Sequence, residues 1–178
     1  MDIKGYIVML NRNTKELLEL VKGRDEAVTI KPSTGSWSVL QILEHLLLSE
    51  NHVYKLIMEP SEKLADGSEL KGVERLERLM VDMRGRKARA PSFLEPKGAV
   101  KTLEDFKSEF LRVRTRLEMA LETGIVVVDE RIHSHPLLGE MTVSDWLHFL
   151  ISHARRHMEQ IREILDERKG PEKVTYGY

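Results

Sequence analysis

The sequence predicts an all-α fold, a four-helix bundle with long crossover connections, from three observations. Four segments carry apolar residues at three- and four-residue spacing, three of those segments open on a local helix-start signal, and only one short run is β-like. The 178 residues suffice for one domain around one core, placed over 1–170, with a C-terminal tail over 171–178.

The first helix is expected over 2–22, where Ile3, Ile7, Leu10, Leu17 and Val21 share a face and Gly23 stands at the stop. The second starts at W-S-V-L-Q-I: Ser38 caps it, Gln41 closes a capping box, Trp37 staples onto Ile42, and the helix runs to about Met58. Thr102 with Asp105 starts a third helix that reaches Glu122. Thr142 with Asp145, flanked by Met141 and Trp146, starts a fourth, which Gly170-Pro171 ends. I-V-V-V-D at 125–129 is too short and isolated to build a sheet and reads as extended linker, so no strand is expected. The connection over 59–101 holds a short helix near Val73–Met83, and loops of that length tend to cover functional sites.

With 28 Lys and Arg against 29 Asp and Glu, no global field directs the chain to nucleic acid or to membranes. The basic run R-G-R-K-A-R at 84–89 lacks interleaved aromatics and reads as a solvated connector. The start M-D-I-K-G-Y-I-V-M-L-N-R has no leader pattern, and no apolar run reaches about 18 residues. A cytoplasmic protein without nucleic-acid or membrane partners is expected. Cysteine is absent, so a metal must be held by imidazole or carboxylate, and thiol chemistry needs an added thiol.

The unusual feature is H-F-L-I-S-H-A-R-R-H-M-E-Q-I at 148–161. On a helical wheel His153 and His157 fall within the apolar face of Val143, Trp146, Leu150, Ile161 and Ile164, while His148 falls on the opposite side and is expected to face solvent. On the second helix His45 shares a side with Ile42, Ser49 and Leu56, and His52 lies on that side two turns away. Those two are about 10.5 Å apart along the axis and cannot both hold one ion. Buried imidazoles without partners cost a few kcal/mol each. A divalent ion satisfies three of them and keeps an open position, the ligand pattern of catalytic rather than structural zinc. Gln160, one turn beyond His157 on the inward face, either holds the second nitrogen of a ligand histidine or only fills space.

The order W-S-V-L-Q-I-L-E-H-L, A-P-S-F-L-E-P-K-G, then H-P-L-L-G-E-M-T-V-S-D-W-L-H-F-L-I-S-H-A-R-R-H-M-E-Q-I resembles the DinB/YfiT-like family of metal-dependent proteins, in its H-P-x-x-G-x-x-T subgroup, over nearly the whole chain. The resemblance implies an up-down-down-up four-helix bundle, often dimeric, with a three-histidine site for nickel, zinc or a similar ion. Carried over residue by residue, the ligands are His45, His153 and His157, which chooses His45 over His52. One departure is Ala154, where members often carry an acidic residue; the chain also differs there from the zincin H-E-x-x-H, whose glutamate is the general base.

Some members of that family resemble thiol-dependent transferases or isomerases that use bacillithiol, mycothiol or glutathione, so the resemblance makes such activity on a small-molecule substrate the leading expectation. Arg156, about 60° from His153 on the wheel, is the expected anchor for the carboxylates of such a thiol cofactor. The alternatives are metal-assisted hydrolysis, with His52, His135 or Glu44 as candidate proton shuttles, and a non-catalytic metal-binding bundle. Leu40, Leu43, Leu47 and Tyr54 form a second apolar side on the His45 helix that needs a cover, either the 59–101 connection or a second subunit; a homodimer is the expectation.

Overall fold

The computed structural model describes residues 1–32, 36–67, 69–82 and 90–166. Five α-helices are present among them, not four: α1 (Ile3–Val21), α2 (Val39–Leu56), the short α3 (Val73–Glu77), α4 (Leu103–Glu122) and α5 (Val143–Asp166). The four long ones follow the sequence expectation closely because their start signals are local. Ser38 accepts from the Gln41 N–H while the Gln41 side chain accepts from the Ser38 N–H, and Thr102 and Asp105 close the same reciprocal box. Thr142 and Asp145 do so at α5. The expected helix near 73–83 divides into α3 and a π-helical turn over Arg78–Asp82. The expected end of α5 at Gly170-Pro171, the tail over 171–178 and the basic run at 84–89 lie outside the described residues.

Each of α1 and α2 packs against both α4 and α5. The helices share two apolar cores. One joins Tyr6 and Leu10 of α1, Val53 of α2, Leu117 and Leu121 of α4, and Trp146 and Leu150 of α5. The other joins Leu17 and Val21 of α1, Ile42 and Leu46 of α2, Phe106 and Phe110 of α4, and Ile161 and Ile164 of α5. Every long helix thus contributes to both cores, and along α5 His153 falls between Ile151 of the first and Ala154 of the second.

Three expectations are corrected. A β-hairpin is present: β1 (Ile132–His135) pairs antiparallel with β2 (Gly139–Thr142), which runs directly into α5. Its strands, I-H-S-H and G-E-M-T, carry one large apolar residue each, so no period-two alternation registers. His148 is buried, not solvent-facing: its ring meets Tyr6 edge-on at 5.7 Å, and Glu69 of the long connection lies beside it. That connection crosses the outer side of α5, so the helix is buried on all sides from Val143 to Ala154. The second apolar side of α2 is covered within the chain, since Leu40 and Leu43 join Phe106 and Phe110 of α4 in one core. No helix among the described residues is long and apolar enough to cross a membrane.

Candidate metal centre

His45 projects from α2, and His153 and His157 project from α5, one turn apart. Their ligand-capable nitrogens lie within 4.8 Å of one another and all three residues are buried. His153 Nε2 stands 3.3 Å from His45 Nε2 and 3.1 Å from His157 Nε2. Zn–N bonds of about 2.0–2.1 Å at tetrahedral angles set N···N separations of about 3.3 Å, which the two separations from His153 match.

The outer contacts decide which nitrogen faces inward. His45 Nδ1 donates to the Leu94 carbonyl at 2.9 Å, and His157 Nδ1 donates to Gln160 Oε1 at 2.9 Å. Each of these neutral rings therefore turns an Nε2 lone pair toward His153. One imidazole N–H cannot serve both lone pairs, so at least one of the two short N···N contacts is repulsive unless a cation stands between the rings. The donor set, three imidazole nitrogens and no thiolate, fits a borderline transition ion such as zinc or nickel.

Burial keeps the rings in the ligand form. His157 is lowered to about 3, by burial first and then by His45, with the Gln160 contact opposing. His153 lies well below the usual imidazole value through burial, with His157, His45, His135 and Arg156 adding to it. Burial also lowers His45, against the raising effect of its bond to the Leu94 carbonyl.

The supporting structure is built from the sequence immediately around the ligands. Glu44, next to His45, is buried, and its carboxylate accepts from the Lys97, Gly98 and Ala99 N–H groups at 2.9, 2.9 and 3.0 Å. Gly98 takes φ +78°, which a side chain would resist. Residues 44 and 45 thus hold opposite ends of one loop, the carboxylate its 97–99 turn and the imidazole its Leu94 carbonyl. On α5 the Phe149 ring stacks on His153 at 5.0 Å and 14°, and Trp37 lies 5.1 Å from His45. Of the remaining sequence candidates, His52 stands outside the cluster against Phe93, at 4.9 Å. His135 packs on Trp146 and Phe149. The Arg156 guanidinium donates to the Met80 carbonyl at 3.1 Å, tying the π-helical turn to α5. Gln160 sits where its spacing from His157 placed it. The Leu94 carbonyl and the Phe149 stack were missed; a backbone acceptor forty-nine residues from its donor leaves no local trace, although A-P-S-F-L-E-P-K-G surrounds it.

The sequence profile described as the DinB superfamily matches residues 9–161. A relative from Bacillus subtilis (strain 168), described as uncharacterized protein YuaE, is 31% identical over 143 residues, spanning 80% of this chain and 86% of its own. With that match and the buried histidine cluster together, the chain belongs to the DinB superfamily.

Proposed function

We propose that His45, His153 and His157 hold a divalent transition ion, zinc or nickel, and that the protein transfers a low-molecular-weight thiol (bacillithiol, mycothiol or glutathione) to a small electrophile, or uses it in an isomerisation. The observation that carries this reading is the convergence of three Nε2 atoms whose rings are oriented from behind by Leu94 and Gln160. Bound there, the ion supplies Lewis acidity that lowers the pKa of a thiol beside it. The chain contributes orientation through those outer contacts and excludes water with the rings of Phe149 and Trp37. Arg156 is proposed as the anchor for the thiol's carboxylates; it lies close enough to His153 and His157 to lower both.

Metal-assisted hydrolysis is less favoured because Ala154 stands where a carboxylate base would be, and the Glu44 carboxylate is committed to three backbone N–H groups. An up-down-down-up order of the long helices belongs to the same proposal, supported by the division of each helix between the two cores. Homodimer formation and a cytoplasmic location rest on the resemblance and the composition. Elemental analysis of untagged protein beside His153→Ala tests the centre: near-stoichiometric ion in the first and its loss in the second is expected, and no ion in either overturns the reading. For the activity, metal-loaded protein should accelerate conjugation of 1-chloro-2,4-dinitrobenzene with at least one of the three thiols; no acceleration with any of them removes thiol transfer.

A further inference from the structure

His135 closes the first strand of the hairpin, in H-P-L-L-G. Its Nδ1 accepts hydrogen bonds from both the Leu137 and Leu138 N–H groups, each at 3.1 Å. A nitrogen that accepts twice carries no proton, so the neutral ring must carry its hydrogen on Nε2. The turn that imposes this is closed by Gly139 at φ +73°. Burial, with His52 adding, lowers the ring to about 4, which keeps it neutral. Among the described residues the Nε2–H has no hydrogen-bond partner.

The ring belongs to the surroundings of the metal centre. It packs on Phe149 at 5.1 Å, and Phe149 is the ring stacked on His153. It is a charge neighbour of His153 on one side and of His52 on the other. His52 in turn meets Phe93 at 4.9 Å, next to the Leu94 carbonyl that holds His45. His135, Phe149 and His153 therefore form a run of packed rings that leads from the hairpin to the three ligand nitrogens. The outermost ring of that run is a neutral donor with a fixed tautomer.

We propose that His135 is a substrate-contacting residue, its Nε2–H donating to an acceptor oxygen, carbonyl or carboxylate, of a small molecule whose other end reaches the histidine-held ion. The inference rests on the metal and thiol reading above. It narrows the substrate to a molecule that carries an oxygen acceptor a few bonds from the coordinating or reacting atom. A neutral imidazole suits this task because it donates a hydrogen bond without placing a second cation beside the metal.

The test uses cobalt(II)-loaded full-length protein, whose visible absorption reports binding of a thiol. Mercaptoacetate, which carries a carboxylate beside its sulfur, should bind about tenfold more tightly than ethanethiol. His135→Asn is the informative variant, because the Asn Oδ1 can accept from the Leu137 and Leu138 N–H groups in place of Nδ1 while nothing reaches where Nε2–H stood. It should bind ethanethiol as the wild type does and lose the preference for mercaptoacetate. His135→Gln, whose amide N–H can reach the Nε2 position, should recover part of it. Separately, 15N NMR of histidine-labelled zinc protein should show His135 as the Nε2–H tautomer. An Nδ1–H tautomer, or a mercaptoacetate preference that survives in His135→Asn, overturns the proposed donor and leaves the thiol reading standing. If neither thiol perturbs the cobalt spectrum, the thiol reading fails and the donor proposal with it.

Discussion

Gln160 stands behind His157 as Leu94 stands behind His45, and each fixes a tautomer rather than touching the ion. Removing one such outer partner typically costs 10- to 100-fold in metal affinity. Gln160→Leu is therefore expected to weaken zinc binding by about that range, measured by competition with a chromophoric chelator, while the melting temperature of the metal-free protein changes by only a few degrees. Unchanged affinity would mean that the His157 ring is oriented by packing alone. At this scale the legible residues were those whose relation is local: His153 and His157 four apart, Gln160 three further on, and Ser38 with Gln41. His148 was misjudged for the complementary reason, since a helical wheel shows which side of α5 is polar but not that Glu69 and Tyr6 cover it. The double acceptance at His135 Nδ1 depends on a turn geometry that the letters H-P-L-L-G permit but do not dictate.

Between elements, the seam of α2 and α4 holds an ion pair at the middle of the bundle. Glu50 and Arg114 are joined through Glu50 Oε1 and Arg114 Nη2, each about 2% exposed. Arg114 also lies over the Phe110 ring at 4.8 Å. Burial raises the Glu50 carboxyl, and the guanidinium opposes that rise. Removing one partner leaves the other charge buried and uncompensated, so it costs more than removing both. Arg114→Met should destabilise the protein by about 3–5 kcal/mol. Adding Glu50→Gln should restore a large part of that loss, as urea unfolding of the three proteins would read out. Equal effects of the single and double variants would show that the pair is not coupled. Neither member could be matched from sequence, because Glu50 and Arg114 are sixty-four residues apart and each lies on a helix with other charges. The same limit hid the hairpin and the grip of Asp145 on the Leu70, Lys71 and Gly72 N–H groups, although the Asp145 cap itself was plain. Local capping chemistry announces where a helix begins. It does not announce what a capping carboxylate holds from a distant loop.

For the molecule as a whole, all seven histidines are lowered from the ordinary imidazole value of 6.5, burial being the largest cause for each. The unfolded chain therefore takes up protons below pH 6.5 that the folded chain refuses. Each such group adds stability that is complete above 6.5 and is lost as the pH falls toward its folded value, about 3 for His157 and about 4 for His135. At about 1.4 kcal/mol per pH unit, His157 alone removes about 2 kcal/mol between pH 6.5 and pH 5. Glu50, raised by burial, acts in the opposite sense, but it is one group against seven. An ion bound only by the folded state raises the stability further at neutral pH, and its ligands must be free of protons, so that increment also fades on acidification. Urea midpoints at pH 7, 6 and 5 should therefore fall steadily for the metal-free protein. The zinc-loaded curve should start higher and converge on it, and His157→Phe should flatten the metal-free curve. A metal-free midpoint that stays constant from pH 7 to pH 5 would show that the histidines of the folded protein are protonated as readily as those of the unfolded chain, and the neutral, inward-facing nitrogens on which the centre depends would be lost with that result.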